Sequence, residues 1–265
     1  MDTIPEKPLV SIITVVFNGA KTIERTIQSV ICQIYKNIEY IIIDGGSTDG
    51  TLEIINKNKI HFAKIVSEKD NGIADAMNKG IAISNGSIIG ILNADDWFEI
   101  DAVEKIVKAA KNNLGTIIHG NMKVYLNTNS YYIEKAPVFP NLKKGMELNH
   151  TTVFIPKFLY EKYGIFDIKY QIVFDWELML RFHLEGIKFV KVDGVLANFS
   201  SGGVSTYRPK CVVEEMHQVR KTYKVYDIID KYYIINKLRL FIFGKAVIKI
   251  SQGIRLIKYK LTRIK

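Results

Sequence analysis

The chain has little cysteine, little proline and no long apolar run. Its two cysteines, Cys32 and Cys211, lack metal-ligand spacing. They indicate a reducing compartment and no disulfide framework. No segment holds the roughly 20 uninterrupted apolar residues that a membrane-spanning helix needs. The opening Met1-Asp2-Thr3-Ile4-Pro5-Glu6 carries no basic region, and the apolar run 9–17 is too short to cross a bilayer. A cytoplasmic protein without a secretory leader is therefore expected. Acidic residues are missing altogether from residues 231–265, which hold ten Lys or Arg. The formal net charge is +10, so residues 1–230 are formally neutral. A basic excess confined to a tail leaves the rest of the chain without the charge of a nucleic-acid-binding domain, and no nucleic-acid partner is expected. What is present is apolar mass. Hydrophobic residues make up 48% of 265 residues, enough for one large domain or one domain with an appendage.

The first 100 residues alternate strand and helix patterns. Residues 9–17, 39–43, 60–67 and 87–92 read as strands. Helical spacing follows each of the first two, in Ile23, Ile27, Val30, Ile31 and Ile34, then in Leu52, Ile54 and Ile55. Residues 73–84 form a third helix. Val103, Ile106, Val107 and Ala110 mark a helix after the fourth strand. Repeated βα units of this length predict a mostly parallel sheet with helices on both faces. After residue 115 the pattern changes to short strands at 116–119, 122–126, 131–135 and 151–155. An irregular loop covers 137–145. Trp176, Met179, Leu180 and Leu184 lie on one face of a helix that stops at Gly186. Ser200-Ser201-Gly202-Gly203 reads as a flexible loop. We expect residues 1–115 and 116–208 to be two halves of one domain, and 209–265 to be a basic amphipathic helical tail.

The tail has its own period. Leu240, Phe243, Val247, Ile250, Ile254, Ile257, Leu261 and Ile264 are spaced by alternating threes and fours, with Lys245, Lys249, Arg255, Lys258 and Arg263 on other faces. Such a helix suits an anionic membrane surface. Packing on its own domain, or pairing with a second copy in a homodimer, are the alternatives.

The most informative stretch is Ile91-Leu92-Asn93-Ala94-Asp95-Asp96-Trp97. A buried-strand pattern stops at two adjacent carboxylates. Ligand crevices in open α/β sheets form at such carboxyl ends. Paired like charges repel, and a divalent cation is the usual counter-charge. A solvated turn or helix cap is the plainer reading of an isolated acidic pair.

The order of motifs resembles the family 2 glycosyltransferases, inverting enzymes of the A-type glycosyltransferase fold that use nucleotide-sugars. The pieces are Val10-Ser11-Ile12-Ile13-Thr14-Val15-Val16-Phe17-Asn18, Ile43-Asp44-Gly45-Gly46-Ser47-Thr48-Asp49-Gly50-Thr51, Asp75-Ala76-Met77-Asn78-Lys79-Gly80, Leu92-Asn93-Ala94-Asp95-Asp96, Gly164-Ile165-Phe166-Asp167 and Phe174-Asp175-Trp176-Glu177-Leu178. The likeness runs from about Val10 to Ser205 and points to bacterial transferases that build capsule, O-antigen or exopolysaccharide repeats. It implies a UDP-sugar donor, a glycan acceptor that is lipid-linked, and Mg²⁺ or Mn²⁺ as cofactor, at the inner face of the cell membrane.

The resemblance also implies site residues. Phe17, Asn18, Asp44, Asp75, Lys79, Asn93 and Asp95 fall on the donor side, with Asp44 accepting from the uracil imide. Asp95 and Asp96 fall on the metal, and Asp175 on the general base. His150 and Trp176 are placed at the acceptor. Relatives commonly have Asp at Gly45 and Asn93 and often Arg at Met77. Asp49 reads as a helix cap, Asp75 and Lys79 also as an i,i+4 ion pair, and Asp175 also as an N-cap. Glu177 is the local competitor of Asp175. The Gly202-Gly203-Val204-Ser205 loop and Arg208 are candidates for diphosphate contact. A non-catalytic nucleotide-sugar scaffold and a sugar nucleotidyltransferase are the rival functions. The second needs a glycine-rich basic loop that Asn18-Gly19-Ala20-Lys21 matches poorly.

Overall fold

The computed structural model describes residues 7–113, 115–127, 130–200, 208–226 and 230–243. Strands β1 (Val10–Val16), β2 (Ile38–Asp44) and β4 (Ile88–Asn93) are β-branched runs buried almost from end to end. Parallel strands covered on both faces read this way. β3 (Lys64–Ser67) is half-exposed and lies at the edge. Helices α1 (Ile23–Ile31), α2 (Thr51–Lys57) and α3 (Ile73–Ile83) carry the crossovers, giving the order β3-β2-β1-β4 with every pair parallel.

The rest of the chain extends the same sheet. It contributes β5 (Trp97–Phe98), α4 (Ala102–Asn112), β6 (Ile117–Asn127), β7 (Ser130–Glu134), β8 (Phe154–Pro156), α5 (Lys157–Tyr163), α6 (Phe174–Leu184) and β9 (Phe189–Ser200). β8 sits antiparallel between β4 and β6; β9 runs parallel to β6 and antiparallel to β5. β7 pairs with β6 off the main path. Side chains alternate across the strands. Ile13, Val15, Ile41, Ile43, Ile89 and Ile91 join α3, α5 and α6 in one core. Val10, Ile12, Val16, Tyr40, Ile42 and Leu92 join α1, α2 and α4 in the other.

Several sequence expectations change. The strand expected at 60–67 begins only at Lys64, because Lys59–His61 is a 3-10 turn with Ile60 exposed. The strands expected at 116–119 and 122–126 are one strand, β6, whose register against β9 shifts between His119 and Met122. Residues His150–Thr152 form a 3-10 turn ahead of β8. β9 was not expected; charges and a left-handed Gly194 interrupt its alternation. Helix α7 (Pro209–Tyr223), grouped by sequence with the tail, packs on the domain, with Val219 and Arg220 buried. Helix α8 (Lys231–Phe243) follows, and Tyr233 and Lys237 reach Glu214 of α7. The rest of the tail stripe, and the Gly202-Gly203-Val204-Ser205 loop, lie outside the described residues.

Close packing at the β4–β8 contact makes a test of this arrangement. Gly90 pairs with Phe154, and a Cβ on residue 90 would meet the phenyl ring at 2.4 Å. Gly90→Ala should cost about 1–3 kcal/mol by urea unfolding. Combining it with Phe154→Leu should recover part of that loss.

Candidate active site

Strand order reverses at β1, which has β2 on one side and β4 on the other. The crevice beyond the carboxyl ends of such strands is where open α/β sheets bind ligands. Val16 is in register with Asp44, and Val15 with Asn93. Phe17-Asn18, Asp44-Gly45 and Asn93–Asp96 therefore emerge together at one sheet edge.

The β1 and β2 loops are clasped to each other. Asn18 takes a left-handed φ of 51°. Its N–H donates to Ser47 Oγ at 2.8 Å, and its Oδ1 accepts from Thr48 N at 2.9 Å. The Asp49 carboxylate accepts from Thr51 and Ala20 N, ahead of α2, and the Thr51 hydroxyl holds its pKa down. Phe17 stands 65% exposed beside this clasp. Asp44 departs from the expected base contact. It is fully buried, and its oxygens accept from Gly46 N, Ser47 N and Ser67 Oγ at 2.7–3.3 Å. The carboxylate folds the turn and leaves no surface for a base.

The acidic pair divides its work. Asp96 is fully buried; its Oδ2 accepts from Thr151 Oγ at 2.8 Å and its Oδ1 from Ser200 N at 3.4 Å. Burial first, then the charge of Asp95, pushes its pKa up to about 7. Asp95 is partly exposed, with a pKa raised by burial. The backbone between them is pinned: Thr26 Oγ reaches the carbonyls of Ala94 and Asp96 at 2.9 and 2.7 Å. Arg25 donates to Asp95 O and Ser200 Oγ, and its guanidinium lies 3.5 Å from the centre of the Trp97 ring. Asp96, expected as a metal ligand, thus serves as an internal tie, because both oxygens are enclosed and engaged. Among the described residues no group of three or more His, Cys, Asp or Glu could hold a metal. One accessible carboxylate, Asp95, fits a hard cation that draws its other ligands from phosphate and water.

Asp175 sits in the first turn of α6, where Trp176 N–H donates to its Oδ1 at 2.7 Å. Burial pushes its pKa up to about 6. The approach to α6 is fixed from α7: the buried Glu215 accepts from Gln171, Ile172 and Val173 N at 2.9–3.1 Å. Glu177, the competitor, is buried on Arg181 and Tyr223. Trp176, expected at the acceptor, is instead a core residue. Its side chain is 1% exposed, and its indole N–H donates to Leu142 O at 2.7 Å. The helix turns it inward beside Arg220 while Asp175 stays near the surface.

A chain of contacts links Asp175 to the acidic pair. Phe174 packs on Phe166 at 5.5 Å, Phe166 meets His150 at 6.0 Å, and the neighbouring Thr151 holds Asp96. Burial lowers the His150 pKa to about 4, and its Nε2 is enclosed without a partner among the described residues. The residue as a whole is partly exposed, on the turn that carries Thr151. Asn78 joins α3 to this chain through paired bonds to Phe166 N and O at 3.0 and 2.9 Å. Asp75 and Lys79 form the i,i+4 pair at 3.6 Å, and Lys79 also meets Glu68 at 2.8 Å. Arg25, Thr151 and Glu215 escaped the sequence reading, since their contacts span about 40 residues or more and leave no local signal.

The burial of Asp96 gives a pH test. Folded, it keeps its proton up to about pH 7; unfolded, an aspartate loses it near 4. Its contribution to stability is present below the unfolded pKa and is lost as pH rises through about 7. Asp96→Asn, isosteric and neutral, should be more stable than the parent at pH 8 by about 1 kcal/mol or more. The gap should close at pH 5 in thermal unfolding with chelator.

Residues 11–178 match the family described as glycosyl transferase family 2. The chain is 31% identical over 192 residues to the UDP-Glc:alpha-D-GlcNAc-diphosphoundecaprenol beta-1,3-glucosyltransferase WfaP of Escherichia coli, covering 68% of this chain and 72% of that one. S. aureus TarS superposes with a TM-score of 0.68 at 16% identity, over 89% of this chain and 44% of its own length. Its 1–349 segment in complex with UDP gives 0.66 at 15% identity, over 89% and 73%. The mannosyltransferase PcManGT from Pyrobaculum calidifontis, in complex with GDP-Man and Mn²⁺, gives 0.62 at 18%, over 98% and 83%. The matched residues span the crevice, both acids and Asp175, and the chain belongs to glycosyl transferase family 2, a glycosyltransferase with the A-type fold.

Proposed function

We propose that this glycosyltransferase moves a sugar from a UDP-sugar to a glycan acceptor carried on a lipid, with inversion at the anomeric carbon. The observation that carries the reading is Asp175: one carboxylate in the first turn of α6, neither paired with a cation among the described residues nor tied into the core as Glu177 is. The acceptor hydroxyl attacks the anomeric carbon as the bond to the diphosphate breaks. Its proton passes to Asp175, and UDP leaves. A pKa near 6 keeps the carboxylate ionised at neutral pH and more basic than an exposed aspartate. Asp95 would hold Mg²⁺ or Mn²⁺, which neutralises charge on the departing diphosphate. Residues 1–115 handle the donor in this reading, and 116–208 the acceptor.

The comparisons support the parts differently. WfaP is named for a UDP-Glc donor and a diphosphoundecaprenol-linked acceptor, and the TarS segment is a complex with UDP. No described helix is long and apolar enough to cross a membrane. Attachment is assigned to the basic tail, which starts at α8 with Ile234, Ile235 and Leu238 exposed. Charge and apolar burial together give the two signals that stable surface binding needs.

Asp175→Asn should lower kcat by about 10²–10⁴ with UDP affinity unchanged in calorimetry. The parent's kcat/KM should fall tenfold per unit below about pH 6, as the base takes up its proton. Removing residues 244–265 takes away seven of the ten tail Lys and Arg. The shortened chain should leave vesicles of anionic lipid in a flotation assay and keep its UDP affinity.

A further inference from the structure

The Asp44 carboxylate is enclosed, which leaves the base of the donor without the reader that the motif suggests. The next residue, Gly45, has no side chain. Its φ is not positive, so the backbone does not demand glycine. The demand comes from a neighbour. A Cβ on residue 45 would lie 2.4 Å from Asp70 Oδ2, 3.2 Å from Asp70 Cγ and 3.5 Å from Phe17 Cβ. The carboxyl group of Asp70, brought from the β3–α3 loop, fills the space in which a side chain on residue 45 would stand.

Asp70 is held there by one oxygen and free at the other. Its Oδ1 accepts from Gly72 N at 2.9 Å, a local turn that fixes the carboxyl plane. Its Oδ2, the atom against Gly45, accepts no hydrogen bond among the described residues, and the side chain is partly exposed. Phe17, whose Cβ borders the same space, is 65% exposed. An aromatic face, a bare backbone step and a fixed acceptor oxygen thus meet at the end of β1 and β2. A flat heterocycle could lie on the ring and the glycine and direct an N–H at Oδ2.

We propose that Asp70 reads the nucleobase of the donor, accepting from the imide N3–H of uracil, while Gly45 keeps the space open for it. The proposal rests on the UDP-sugar reading. It assigns specificity to a residue outside both the Asp44 turn and the acidic pair. Cytosine has no hydrogen at N3, so a carboxylate there selects against it. Leaving a carboxylate facing an acceptor or a methyl group carries the cost of an unpaired polar group.

The experiment is calorimetric titration of the full chain with UDP, CDP and N3-methyl-UDP, for the parent and for Asp70→Asn. Asparagine keeps an oxygen for Gly72 N and turns an amino group toward the base, so the melting temperature should hold. The parent should bind UDP about 10–100-fold more tightly than N3-methyl-UDP. Asp70→Asn should lose a similar factor for UDP and no longer distinguish the two. Equal affinity of the parent for UDP and N3-methyl-UDP, or full UDP affinity in Asp70→Asn, overturns the role of Asp70 and leaves the UDP-sugar reading standing. A parent that binds none of the three overturns that reading and this one together.

Discussion

A carboxyl group shut inside the sheet edge holds the two halves of this protein to one another. Asp96 takes a hydroxyl from the turn ahead of β8 and a backbone N–H from the end of β9, while Thr26 of α1 grips the carbonyls beside it. The halves meet where β4 pairs with β8 and β5 with β9. Burying a carboxyl is unfavourable unless it is hydrogen-bonded or neutral, and this one is both bonded and pushed toward its neutral form. Its neighbour Asp95 remains partly exposed because Asp96 does not. The dipeptide therefore divides into one enclosed structural acid and one that stays partly exposed.

The same logic recurs at the start of α6. Three consecutive N–H groups ahead of the helix end on Glu215, Trp176 turns inward to Leu142, and Glu177 is consumed by Arg181 and Tyr223. With its neighbours engaged, Asp175 is left as the acid of that turn without an ionic partner among the described residues. Helix α7 is part of the catalytic domain in this sense. It supplies the carboxylate that fixes the entry to α6, although the sequence grouped it with the tail.

Much of the fold was legible because its first half is built from fully buried parallel strands. Runs such as residues 9–17 and 87–92 permit few other readings. The second half was harder. β9 carries Lys191, Asp193 and a left-handed Gly194, and pairs in parallel with β6 through a register shift, so no period survives in its sequence. Motif order brought Asp95 and Asp175 forward, and the structure leaves both partly exposed. Trp176 was misplaced because a sequence position next to a functional residue does not say which way a helix faces.

The sequence by itself determined the chemistry available: which acids end which strands, where the βα units fall, and that the basic excess belongs to the last segment. Local patterns suffice for these, since strand burial, helical spacing and charge are properties of neighbouring residues. Tertiary structure decided which carboxylates are free. Asp96 is enclosed by donors from other elements and Asp44 by its own turn together with Ser67 of β3, whereas Asp95, Asp175 and Asp70 stay partly exposed. Burial and hydrogen bonding of a side chain depend on groups distant in the chain, and those meet only when the sheet is assembled.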